Sequence, residues 1–219
     1  MGLRNDSTGY APVYKRLDTL TGEVIDLEIP FTKVYQPALC KKDNLIYMIG
    51  GTDPSVEYTK PEDLVTYVQI FDTATNSWIG YREFNLINTN DENESTKYRQ
   101  FYGKDFHPIL HNDHIYVLKP KTIRLTKNDI TGLYTSSVEY ESCGYDIDIS
   151  DEVNITSSVI DLSNLSISNE NVNIVPTSYI KDDKISFLAG IRNVTYDSET
   201  DVFSFNGYDI HRIILDTTN

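Results

Sequence analysis

Leu45-Ile46-Tyr47-Met48-Ile49 runs without a charged residue into Gly50-Gly51, and downstream Gln69-Ile70-Phe71 leads into Asp72-Thr-Ala-Thr-Asn76 and then Ser77-Trp78. An apolar run of this length with no polar alternation suits a strand buried on both faces. The paired glycines end it where the backbone must reach positive φ or approach a neighbour closely. Asp72 to Asn76 can hydrogen-bond their own backbone and tolerate a left-handed residue, which predicts a hairpin between Phe71 and Trp78.

Parts of this pattern recur. A proline, a short spacer, an Asp-containing turn and an apolar strand appear at Pro37…Asp43…Ile46, at Pro108…Asp113…Ile115 and at Pro176…Asp182…Ile185. Aligning the three isoleucines gives spacings of 69 and 70 residues. A second signature, an apolar residue followed by Asp and Ser/Thr-rich turn residues, appears at Leu17-Asp18, Phe71-Asp72, Ile160-Asp161 and Leu215-Asp216. Such periodicity is the mark of a repeat architecture.

At residues 33–81 the chain resembles the kelch repeat, whose blade runs from an apolar strand through Gly-Gly and a spacer to Tyr-x6-Trp. Gly50 and Gly51 stand in the glycine positions, Phe71 in the tyrosine position, and Trp78 in the tryptophan position with the same six residues between. The spacer from Gly51 to Phe71 is longer than is usual for the family, and elsewhere the match is partial: Lys119-Pro120 and Ala189-Gly190 replace the glycine pair. The resemblance implies an all-β fold of antiparallel four-stranded blades, forming a small, partial or composite β-propeller. It also implies structural roles for Gly50, Gly51, Phe71, Asp72 and Trp78. In a buried setting, Trp78→Ala would cost about 3–5 kcal/mol.

The coarse organisation is an N-terminal arm over 1–12 and a single domain over 13–219, with blade pieces near 13–32, 33–85, 101–168 and 171–219. Val13 to Leu17 and Glu23 to Ile29 read as strands joined by the Asp18 to Gly22 turn. Helical periodicity is nearly absent, and 16 tyrosines and 8 phenylalanines favour strands. Three to four blades are few for a closed ring. The expectation is therefore a very small ring, an open arc, or a ring completed by another chain, with the N-terminal hairpin a candidate to fill the C-terminal sheet. Open strand edges invite pairing with a second chain.

With 19 basic and 33 acidic residues the formal charge is −14. Such a surface repels a phosphate backbone, so nucleic acid is not an expected partner, whereas a basic protein or bound cations would fit. Two cysteines make no disulfide framework. No apolar run reaches the length of a membrane span and no signal peptide is evident, so a cytoplasmic or virion-associated location and no membrane insertion are expected.

Among chemistry-bearing groups, His107, His111 and His114 surround one turn and could ligate zinc or copper. Their spacing matches no known metal motif, and ordinary strand and turn roles are the expectation. Asp146 and Asp148 alternate with isoleucine, which puts both carboxylates on one strand face, with the apolar residues inward. No phosphate loop, nucleophile elbow or Cys-x-x-Cys occurs, so neither catalysis nor a cofactor is expected. The expected function is a non-enzymatic interaction or assembly module that binds through long acidic loops, with Asp53, Tyr58, Glu62, Asp63, Asp91 and Glu92 as binding candidates. A subunit of a viral or phage particle and a carbohydrate-binding or glycoside-cleaving propeller are the alternatives.

Overall fold

The computed structural model describes all residues except 1, 7–8, 33, 54–55, 94–95, 103–106, 152–153, 164–171, 183 and 218–219. The fold is all-β, and every strand pairing among the described residues is antiparallel. Two of its sheets are four-stranded meanders with matching plans. The first is β5 (Ala38–Lys42), β6 (Leu45–Ile49), β7 (Thr66–Asp72) and β8 (Ser77–Phe84). The second is β11 (Ile109–His111), β12 (His114–Leu118), β15 (Gly144–Asp148) and β16 (Thr156–Ile160). The third has three strands, β17 (Val172–Lys181), β18 (Lys184–Asp197) and β19 (Val202–Asp216).

The first sequence signature marks the opening hairpin of each sheet. Residues 43–44, 112–113 and 182–183 separate the paired ends Lys42↔Leu45, His111↔His114 and Lys181↔Lys184. Asp43, Asn112, Asp113 and Asp182 all have positive φ, from 47° to 63°. Asn and Asp tolerate that region because a short polar side chain can bond locally. Ile46, Ile115 and Ile185 then occupy the same register position, opposite Phe71, Ile147 and Leu215.

The second signature needs a correction. Asp72 and Asp216 do sit in equivalent places, opposite Leu45 and Lys184, but the middle member is Asp148, opposite His114, and not Asp161. Asp161 follows β16, where it accepts the Ser163 amide at 2.8 Å. An apolar–Asp pair before a turn is a general capping device, so its sequence pattern does not distinguish one strand end from another. The blade piece expected over 101–168 also divides between two sheets. Ser137 to Tyr140 belong to a fourth sheet, part of 154–167 is β16, and 164–167 lie outside the described residues.

That fourth sheet runs β14 (Tyr134–Tyr140), β13 (Lys121–Lys127), β10 (Tyr98–Phe101) and β9 (Leu86–Ile87). Two further hairpins precede the first sheet: β1 (Gly2–Asp6) with β2 (Gly9–Val13), which occupies the N-terminal arm, and β3 (Lys15–Leu17) with β4 (Val24–Asp26).

Side-chain alternation stacks the sheets. Tyr47, Ile49 and Val68 of the first sheet share one apolar cluster with Ile115, Val117, Tyr145 and Ile147 of the second. Tyr116 and Leu118, on the other face of β12, share a second cluster with Ile185, Phe187, Ala189 and Ile213 of the third sheet. The opposite face of the first sheet packs Met48 against Tyr14 and Val34, with Leu27 and Trp78 beside them. The expected filling of the C-terminal sheet by the N-terminal hairpin is not seen: Tyr14, next to β2, is held edge-on to Trp78 at the opposite end of the stack.

Gly50 and Gly51 have φ of 61° and 91°. A Cβ on Gly51 would lie 2.8 Å from the Tyr35 carbonyl oxygen and 3.1 Å from Val34. Gly132 also has positive φ, 70°, but nothing stands within 4 Å of its missing Cβ. Urea unfolding should therefore separate the two: Gly51→Ala should lose about 2–4 kcal/mol, from left-handed strain plus overpacking, and Gly132→Ala only about 1 kcal/mol. Equal losses would refute the close-approach explanation.

Candidate binding surfaces

The binding candidates lie in two loops, one between β6 and β7 and one between β9 and β10, and both loops are fastened to the fourth sheet. In the first, Leu64 is fully buried in a cluster with Ile123 and Leu125, flanked by Tyr58, Tyr98 and Tyr134. Gln100 Nε2 donates to the Gly51 carbonyl at 3.2 Å and to the Tyr58 hydroxyl at 3.3 Å. Asp63 accepts the Thr59 and Lys60 amides at 2.9 and 3.0 Å and so caps the short 3-10 turn Pro61–Asp63. Asp53 is half-buried and Glu62 is exposed, while Pro54 lies outside the described residues.

The second loop rests on a buried ion network. Arg99 is 3% exposed, and its Nε donates to Glu141 Oε1 at 2.7 Å while its Nη2 donates to Asp91 Oδ2 at 3.1 Å. Thr122 and Asn88 also donate to the Glu141 carboxylate, at 2.5 and 3.1 Å. Burial alone would raise the Asp91 pKa, but hydrogen bonds from Thr96 and Arg99 outweigh it and hold the carboxyl below its usual range. Tyr58, Asp63 and Asp91 thus have hydrogen-bond partners within the fold, and Glu62 and Glu92 are exposed.

Phe71 and Trp78 face each other across the β7–β8 hairpin, ring centroids 5.3 Å apart. The Ala74 amide, then the Thr75 hydroxyl, bond Asp72 and hold its carboxyl below the ordinary range. The indole Nε1 of Trp78 donates to the Glu28 carbonyl at 3.0 Å, which ties the N-terminal segment to the first sheet. Phe71 is buried and Trp78 half-buried, beside a shallow apolar groove of about 190 Å³ that Ile46, Met48 and Leu39 also line. A second cleft, of about 330 Å³, opens between the first two sheets, with Tyr47 and Ile79 on its walls and Arg82, Asp113 and Asp151 among its polar groups.

His111 and His114 are cross-strand partners at the β11–β12 turn, but the three histidines form no common group. His107 is exposed, His111 Nε2 accepts from Asn112 at 2.9 Å, and His114 Nδ1 bonds Asp146 Oδ1 at 2.8 Å while its ring stacks on Tyr116. Among the described residues no group of three or more His, Cys, Asp or Glu side chains is placed to hold a metal ion. Asp146 and Asp148 share a strand face and flank Ile147, which is fully buried.

Three surface features escape a reading of the sequence. On the fourth sheet, Lys97, Lys121 and Lys127 lie over Tyr98, Tyr102, Tyr140 and Tyr134 at 5.3–6.0 Å, a basic and aromatic patch on an acidic chain. The loops at Asp18–Gly22 and Asn128–Gly132 share one set of bonds. Asp18 Oδ1 accepts the Leu20 and Thr21 amides as Asn128 Oδ1 accepts those of Ile130 and Thr131, and in each the Gly amide returns to the carbonyl of the first residue. Both loops hold an aliphatic residue, Leu20 or Ile130, 96% exposed at the tip. Only the shared Asx-x-(Leu/Ile)-Thr-Gly spelling would have signalled this equivalence. Last, the face of the third sheet turned away from the second exposes Ile210 and Ile214, 72% and 49%.

No family model matches the chain, and no curated protein matches it either. No helix among the described residues is long and apolar enough to cross a membrane.

Two substitutions test the local energetics. Arg99→Ala leaves Glu141 buried without its cation and should cost about 3–5 kcal/mol, most of it recovered when Arg99→Met is combined with Glu141→Gln. Trp78→Ala should cost about 2–3 kcal/mol, less than for a fully buried indole because the ring is half-exposed. Chemical denaturation checks both.

Proposed function

We propose that the chain is a non-enzymatic assembly or protein-interaction module, its successive meander sheets acting as kelch-like propeller blades in an open arc. The observation that carries this reading is the unfinished end of the stack. Each of the first two sheets packs an apolar cluster on both faces, while among the described residues none lies on the face of the third that bears exposed Ile210 and Ile214. Exposed apolar faces of this kind mark interaction sites. A subunit of a larger particle, such as a virion or tail component, is one form of the same reading.

A carbohydrate-binding role is the second reading, favoured by the Lys–Tyr patch of the fourth sheet, where exposed Tyr140 offers a ring face beside Lys121. Multi-angle light scattering at several concentrations tests the first: a defined oligomer is expected, and a strict monomer overturns it. A glycan array tests the second. A signal that is lost in Tyr140→Ala would favour it, and a blank array would remove it.

A further inference from the structure

Among the described residues, the third sheet has one strand fewer than the plan that the other two follow. In the first, β7 lies between β6 and β8; in the second, β15 lies between β12 and β16. β19 holds the place of β7 and β15, since Leu215 faces Ile185 as Phe71 faces Ile46 and Ile147 faces Ile115. Yet among the described residues the sheet ends at β19, a 15-residue edge strand. A long open edge presents a row of backbone donors and acceptors to any extended segment.

The chain also contains a ribbon without a sheet. β1 and β2 pair with each other over Gly2↔Val13 to Asp6↔Gly9 and, among the described residues, join no third strand. A lone two-stranded hairpin is marginal in water. Its strands are 5 residues long, the same length as β16, the fourth strand of the second sheet. Pro12 lies in β2 and cannot donate to a neighbouring strand, so β2 suits an outer edge and β1 the inner, pairing position. Arg4 and Asp6 are the only charges in the two strands, so the hairpin carries no net charge toward a chain of formal charge −14.

The hairpin of the same molecule is badly placed for this slot. It leads directly into Tyr14, which is anchored against Trp78 on the outer face of the first sheet. One apolar cluster joins the first sheet to the second and another joins the second to the third, and among the described residues no cluster joins the first to the third. The open edge and the hairpin's root therefore belong to opposite ends of the stack.

We propose that the β1–β2 hairpin of a second copy of this chain docks with β1 antiparallel along the open edge of β19 and completes the third sheet. The proposal rests on the assembly reading above and names the partner and the contact. Each copy offers both a hairpin and an edge, so the contact can be reciprocal in a dimer or run head to tail around a ring.

The test compares the full chain with a variant lacking residues 1–13. The full chain should show a mass that rises with concentration, and the truncated variant should stay monomeric with an unchanged far-ultraviolet spectrum. A synthetic peptide of residues 1–13, added to the truncated variant, should slow hydrogen exchange at alternate amides of β19 and leave those of β8 and β16 unchanged. Association that persists in the truncated variant, or a peptide that protects no β19 amide, overturns the proposal while leaving self-assembly intact. A full chain that is monomeric throughout overturns both. A monomer whose β19 amides are already protected, and lose that protection on truncation, would assign the hairpin to its own chain and overturn the second-copy contact.

Discussion

Strand β12 sends Ile115 and Val117 to one side and Tyr116 and Leu118 to the other, and each pair is buried against a different sheet. Two-sided burial of four consecutive residues is possible only if a sheet stands on either side, so this strand dictates a layered arrangement. A slip of one residue in its pairing would exchange the two faces and set a tyrosine where a valine now packs. The registers His111↔His114 and Leu118↔Gly144 keep it in place from both neighbours.

How much of this could be read from the residues depends on how local the signal was. The opening hairpins were legible because left-handed Asp and Asn residues and the apolar runs behind them act within a few positions. Gly50 and Gly51 were legible for the same reason, though the Tyr35 carbonyl that excludes a side chain at Gly51 is a contact no local pattern predicts. The fourth sheet was hidden. It takes Leu86 and Ile87 from one side of a polar loop and pairs Tyr98 to Phe101 with a hairpin inserted between β12 and β15. Short strands with distant partners leave little periodicity to find.

The candidate binding loops show a related limit. Asp63 and Asp91 stood out for their charge, and sequence does not show the hydrogen-bond donors that meet it. Asp63 is taken by two backbone amides and Asp91 by a guanidinium that is buried with Glu141. Arg99 could not have been singled out as the partner of Asp91, since its other partner, Glu141, lies 42 residues away and is itself held by Thr122 and Asn88 from two further segments. A buried charged network of this kind is costly when half-made, which favours one arrangement of the loop over its alternatives.

Trp78 is the only tryptophan in the chain, and it sits between Phe71, Tyr14 and the Glu28 carbonyl at the outer face of the first sheet. Its fluorescence is therefore a reporter of one end of the stack. Emission should redden when the N-terminal segment lifts from that face, even while the second and third sheets remain paired. Circular dichroism, by contrast, averages over every strand. A gap between the two optical signals would measure how tightly the ends of the molecule are coupled.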